Sequence, residues 1–338
     1  MFNDSPTPRI LLELARVREQ LGKFEEANRL YKFALGIPDL PLIVRDNVTK
    51  RLNNIRGRQG FIDYSVALVS DDNPLNFTDA NAITFAGLRF QISAPPENKT
   101  VYGLEHSLLT VSHLSNKYSV ITNHLFLDYA SQKLDELFSK VVFQRKLASE
   151  KLNSIFIGRE AEFNRDGTIY SKDSIGLNLN KSYVFNTPII PTISYGRLEV
   201  SNANYLNKKS FEFSAIAEIS DFPGVPVDLI FIAEKHEAKE NPYSHDRVGA
   251  GIRSDNYFLN NKMSSQLNVI FYRDTYAGVD PLFGKTRQDM TAQFKGEITH
   301  QSWRVFSKQF YLGFRYKENK SNLAFFRYET SGIYFRLN

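Results

Sequence analysis

From Gly60 to its end, this chain is written in period two. Phe211, Phe213, Ala215, Ala217 and Ile219 alternate with Ser210, Glu212, Ser214, Glu218 and Ser220, and Ile216 alone is out of place. Met290, Ala292, Phe294 and Ile298 alternate with Thr291, Gln293, Lys295, Glu297 and Thr299, and Phe310–Lys317 and Ile175–Asn180 repeat the pattern. One apolar and one polar face is the signature of a strand with water on one side. Strand-like segments run over roughly 61–70, 101–115, 118–131, 135–149, 151–164, 168–184 and 189–202. They continue over roughly 208–220, 225–238, 246–259, 263–278, 287–301, 309–322 and 326–338. That makes about 14 strands, at about 20 residues per strand and turn. Ala82–Ser93, closed by Pro95-Pro96, reads as loop structure.

Period alone does not separate a soluble barrel or sandwich from a membrane barrel, where the apolar face turns outward. Strand length favours the membrane form. These segments exceed the usual 5–6 residues and fit the roughly 9–11 of a tilted spanning strand. Tyr102, Tyr118, Tyr129, Tyr183, Phe185, Tyr257, Phe258, Tyr272 and Tyr276 fall near strand ends, as an interfacial girdle requires. Composition agrees: 27 Phe and 17 Tyr coexist with a mean hydropathy of −0.35. Ser182–Gly196, the longest uncharged stretch, has about 15 residues against the roughly 20 of a spanning helix. The absence of Cys excludes disulfides, thiolate metal sites and a Cys nucleophile. The net charge of +5 is dispersed, so nucleic acid is not an expected partner.

Residues 1–56 read differently. Leu11, Leu14, Ala15 and Leu21 fall on one helical face, then Ala27, Tyr31, Ala34 and Leu35 on the next, with Gly22 between and Pro38 as a stop. The spacing Leu14, Gly22, Ala27, Tyr31, Ala34, Pro38 resembles one tetratricopeptide repeat, although Arg18 stands where an aromatic is usual; a generic helical hairpin is the alternative. One repeat cannot bury its own apolar face, so further repeats and a signal peptide are expected upstream. A third helix is expected over Ile43–Arg56, and the boundary at roughly 56–60 leaves 57–338 as the barrel.

Thr330, Gly332, Phe335 and Leu337 in the last strand look like the C-terminal signal by which bacterial outer-membrane barrels are recognised for insertion. Leu337 replaces the usual terminal Phe, and Asn338 follows it. Together with Leu35–Val48, a first strand and Asp71-Asp72-Asn73, the chain resembles the surface lipoprotein assembly modifiers (Slam proteins). That resemblance implies periplasmic repeats joined to a 14-stranded outer-membrane barrel. It also implies translocation of lipoproteins, or of soluble haem- and metal-scavenging proteins, to the surface of Gram-negative bacteria. Client protein, barrel-assembly machinery and outer-membrane lipid are then the expected partners, with the helices in the periplasm.

No enzymatic motif supports another reading. His236-Glu237 lacks the second His of a zinc-protease pattern, and neither a Gly-x-Ser-x-Gly elbow nor a phosphate loop occurs. His106, His113, His124, His236, His245 and His300 are expected in lumen or turns, and no cofactor is expected. Asp71-Asp72-Asn73 lacks the remaining ligands of a calcium loop and reads as a solvated turn. Glu212, Glu218, Lys295, Glu297, Arg315 and Arg336 are the expected lumen contacts. Their mixed signs suit a polypeptide or polar solute, or mere solvation of a wet interior. Two alternatives remain: an exopolysaccharide-export porin with periplasmic repeats, and an interfacial hydrolase using Ser112, His124 and Asp128.

Overall fold

The computed structural model describes residues 8–37, 40, 42–85, 87–96, 98–115, 117–147, 152–184, 187–222, 225–258, 262–300, 302–305 and 308–337. Three helices come first: α1 (Pro8–Gln20), α2 (Phe24–Leu35) and α3 (Leu42–Gln59). Strand β1 (Phe61–Asp71) follows, then a small hairpin of β2 (Ala82–Phe85) and β3 (Leu88–Gln91). The chain continues through β4 (Val101–His113), β5 (Tyr118–Tyr129), β6 (Glu136–Lys146), β7 (Leu152–Asn164), β8 (Gly167–Leu179), β9 (Ser182–Val184) and β10 (Thr187–Val200). It ends with β11 (Lys208–Phe222), β12 (Val225–Ala238), β13 (His245–Phe258), β14 (Met263–Val279), β15 (Thr286–His300), β16 (Arg304–Val305), β17 (Lys308–Ser321) and β18 (Tyr328–Leu337).

The main sheet has 16 strands, of which short β9 and β16 only flank β10 and β17. The other fourteen form a closed antiparallel ring, because β10 pairs with β11 and β18 returns to β1. Closure removes every open edge of that ring. The β2–β3 hairpin stays outside it, within the segment read as loop. Four hairpins turn through a single 3₁₀ turn, at Gln132–Leu134, Asn204–Leu206, Asn241–Tyr243 and Ala324–Phe326. In three of them the residue after the turn closes the hairpin with its side chain. Asp135, Asn207 and Ser244 accept the N–H of Tyr129, Val200 and Ala238 at 2.9, 2.7 and 2.9 Å.

The outward positions carry the apolar set. Phe211, Phe231, Val248, Phe271, Phe314 and Ile333 are all exposed, whereas the alternate positions hold bonded polar groups. A belt of exposed Phe, Val and Ile of this extent is incompatible with water and matches lipid. The chain is therefore an outer-membrane type of β-barrel, and among the described residues no helix is long and apolar enough to cross a membrane.

The chain divides into two compact units, Met1–Ile62 with Thr110–Val120, and Asp63–Leu109 with Ile121–Asn338. In the first, Ala15, Ala27, Tyr31, Val48, Leu52 and Ile55 form the core, and Ala34 is also fully buried. Gly22, at φ 71°, supplies the left-handed residue that reverses α1 into α2. Leu14 is 39 % exposed and Leu21 is exposed as well, which corrects their expected packing role. The buried stripe of α1 is Leu11 and Ala15, and Leu14 shares the neighbouring face with Ile10, Val17 and Leu21. Pro38 lies outside the described residues.

Glu19 ties the three helices together. It accepts the Tyr31 hydroxyl at 2.9 Å and the Arg51 guanidinium at 3.0 Å. Burial, then the Glu19 carboxylate, push the Tyr31 phenol up to about 12. Tyr31→Phe is expected to cost the helical unit about 1.5–3 kcal/mol, the value of a hydrogen bond to a charged group, read as faster amide exchange in α1–α3. A raised folded-state value favours the neutral phenol. This contribution is therefore complete below the ordinary tyrosine range and lost as pH rises toward about 12.

Candidate functional site

Pairing register assigns each strand residue to one face. On β18, Ile333 and Phe335 are exposed outward while Tyr334 is buried inward, so Thr330, Gly332 and Arg336 also point into the lumen. All six expected lumen residues lie on inward faces. Glu212 accepts from Lys172, Ser194 and Ser210. Glu218 pairs with Lys181, but both side chains are over 40 % exposed, so this pair adds little.

The strongest clusters line the last strands. Glu297 is buried and accepts the Tyr334 hydroxyl at 2.8 Å and Arg336 at 2.5 Å, with the Lys295 ammonium 3.8 Å away. Gly313 leaves the space that the Tyr334 ring fills. Arg315 reaches Asp71 at 3.3 Å and Glu105 at 3.6 Å, and Asp71 also accepts the Thr330 hydroxyl at 2.6 Å. One further cluster was not read from the sequence. Arg247 makes a two-pronged pair with Asp274 at 2.7 and 2.9 Å, lies 4.2 Å over the Tyr272 ring and approaches Glu234, which accepts from His236. The His236 and His245 rings stack beside it at 4.4 Å. Paired, hydrogen-bonded charges of this kind fix the wall's shape more than they add to stability.

Among the described residues the β1–β18 ladder has four residue pairs, Val66↔Leu337 to Val69↔Tyr334, whereas the neighbouring β17–β18 ladder has ten. Beyond Val69 the joint is made largely by side chains. Ser70 Oγ donates to the Ile333 carbonyl at 3.1 Å and accepts the Ile333 N–H at 3.0 Å. The Asp72 carboxylate accepts both the N–H and the hydroxyl of Ser331, and the Asn73 amide donates to the Glu329 carbonyl at 2.8 Å. Asp71-Asp72-Asn73 is thus a clasp and not merely a solvated turn. No local signal announces this, since the partners are more than 250 residues away. Thr330 and Gly332 of the expected assembly signal face this clasp, while Phe335 and Leu337 face outward.

Other expectations are corrected by the same parity. Tyr129, Tyr272 and Tyr276 point inward, Tyr129 being buried with Ala67, Val69, Val101 and Tyr334, so they are not girdle residues. Phe185 lies outside the described residues. His106 and His124 face outward and not into the lumen: His106 bonds the exposed Tyr64 at 3.0 Å and stacks near Phe126. Ser112, His124 and Asp128 are not brought together. His124 instead meets Ser139 at 3.0 Å, and Asp128 is four residues along the strand, about 13 Å away. Among the described residues no group of three or more His, Asp or Glu is arranged to hold a metal ion.

Residues 225–338, which are strands β12–β18, match the family model described as Surface lipoprotein assembly modifier (SlipAM). The match falls on barrel strands and does not include the helices. No curated protein matches the chain. Among solved structures, OpdK of Pseudomonas aeruginosa with vanillate is similar at 8 % identity and TM-score 0.44, covering 83 % of this chain and 98 % of that one. A BenF-like porin from Pseudomonas fluorescens Pf-5 is similar at 8 % identity and TM-score 0.43, covering 81 % and 97 %. A loop L8 deletion mutant of OmpT, an outer-membrane protein of Vibrio cholerae, is similar at 8 % identity and TM-score 0.39, covering 82 % and 99 %.

Proposed function

We propose that this barrel, whose last seven strands carry the surface lipoprotein assembly modifier match, moves lipoproteins to the cell surface. The observation that carries the reading is where the match lies: on the strands that hold the Glu297, Arg315 and Arg247 clusters and the closing seam. The family match and the outer-membrane fold support a role in surface lipoprotein assembly. The finer reading puts the helices in the periplasm as a tetratricopeptide-like docking unit. It includes soluble haem- or metal-scavenging proteins among the clients and has the barrel-assembly machinery insert the chain by its last strand. The chain carries out no bond chemistry in this scheme. A lumen lined by both signs of charge accommodates polypeptide better than an acidic or basic glycan, which ranks polysaccharide export second.

Protease shaving of intact cells tests it. With the gene present, at least one lipoprotein is expected to be shaved that stays protected in its absence. An identical set of shaved lipoproteins in both strains overturns the proposal.

A further inference from the structure

A cavity of about 350 Å³ opens on the inward face of β14, β15, β17 and β18, room for on the order of ten waters. Two rows of directly paired residues floor it. Asn268 faces Lys295, which faces Arg315. In the next row Gln293 faces Lys317, which faces Thr330. Directly opposed side chains lie about 4.5–5.5 Å apart at Cβ, and like charges so placed repel. The lining therefore holds three cations, and Asp71 is its only carboxylate among the described residues.

These cations differ in how far they are neutralised. Arg315 is held by Asp71 and Glu105. Among the described residues Lys295 has a single ion-pair partner, Glu297 at 3.8 Å, and rests 5.2 Å from the Tyr334 ring; that carboxylate already accepts from Tyr334 and Arg336. Lys317 forms no ion pair among the described residues, its ammonium resting 5.1 Å from the Tyr328 ring. Two ammonium groups thus face the cavity with bonding capacity to spare. Beside them the Asn268 Oδ1 is buried with no hydrogen-bond partner. A buried orphan acceptor costs about 1–3 kcal/mol and wants an N–H or O–H donor. An inorganic anion without an O–H, such as sulfate, satisfies the lysines but not the amide oxygen. A peptide bearing a carboxylate satisfies both.

We propose that this cavity binds an acidic peptide segment, its carboxylate on Lys295 and Lys317 and a backbone N–H on Asn268. The inference rests on the reading that polypeptide uses this lumen, and it supplies the chemistry of the segment held there. Isothermal titration of the full chain in detergent, at low salt, compares hexaglutamate with sulfate. Hexaglutamate is expected to bind at least tenfold more tightly than sulfate. Lys295→Gln/Lys317→Gln is expected to weaken hexaglutamate at least tenfold, and Asn268→Leu to weaken the peptide but not sulfate. Lys235→Gln, on the outward face, serves as the charge-matched control and leaves binding unchanged. Should the double variant fail to fold, protection of Lys295 and Lys317 from reductive methylation by hexaglutamate in the unaltered chain decides the matter. Absent peptide binding, sulfate binding of equal strength, a double variant that binds normally, or unprotected lysines overturn the proposal. Surface shaving is read separately, so peptide binding can fail while export persists, and the two readings are told apart.

Discussion

Gly332→Ala is expected to stop the barrel from closing. A Cβ at position 332 would lie 2.0 Å from the Ser70 carbonyl oxygen and 3.2 Å from Arg315 Nε. The first obstacle is backbone, and it cannot step aside. Ser70 Oγ is bonded to both the N–H and carbonyl of Ile333, and the Asp72 N–H donates to the Ser331 carbonyl at 3.1 Å. Relief therefore means losing the clasp, after which, among the described residues, the four-pair ladder is left to join β1 to β18. Overpacking commonly costs about 1–3 kcal/mol, and a clash with fixed backbone belongs at or above the top of that range. Unheated electrophoresis distinguishes closed from unfolded barrel by migration. The compact band is expected to be lost for Gly332→Ala and kept for Ala250→Val, an outward substitution on β13. An undiminished compact band for Gly332→Ala would show that the seam tolerates a side chain and that the clasp does not govern closure.

Why the clasp escaped the sequence, while the barrel did not, follows from what each signal encodes. Alternation is local: Phe213 and Glu212 declare opposite faces without any knowledge of their neighbours. A shift by two residues keeps every face unchanged, so register, and with it the Arg247–Asp274 pair on neighbouring strands, cannot be read from period two. The apparent exception at Ile216 is a lumen residue, paired in register with Ile190 and Ile230 on the same inward face. Phe156, in a segment that alternates poorly, fills the space over Gly176. Closeness to a strand end says nothing about parity, so it does not identify a girdle residue. Tyr129 and Tyr276 sit near ends yet point inward. In the helical unit the stripe of Ala27, Tyr31 and Ala34 is legible in the sequence, whereas Leu14 lies one face away from the buried stripe of Leu11 and Ala15. The resemblance in the sequence lies at the helix–barrel junction, yet the family match lies in β12–β18, where the inward charges are placed by register.

Glu297→Ala is expected to be the most damaging single change in the lumen, and removing its partner at the same time to be milder. Glu297 is 6 % exposed and holds Arg336, the Tyr334 hydroxyl and, more loosely, Lys295. Deleting the carboxylate leaves the Arg336 guanidinium facing the Tyr311 ring at 4.1 Å, with its Nε already buried and unpartnered. An uncompensated buried charge costs about 3–5 kcal/mol, several times an exposed pair such as Lys235–Glu237. Glu297→Gln keeps an acceptor for Tyr334 and loses only the charge, so its cost should fall nearer the 1.5–3 kcal/mol of a charged hydrogen bond. Glu297→Leu/Arg336→Leu removes both charges and replaces them with apolar volume. Exchanges of this kind are often neutral, so the double variant should be more stable than Glu297→Leu alone. Urea unfolding in detergent, run as a double-mutant cycle, measures the coupling directly. A double variant whose loss equals the sum of the two single losses would mean that Glu297 and Arg336 act independently. The buried carboxylate would then not be the group that holds Arg336 against the lumen wall.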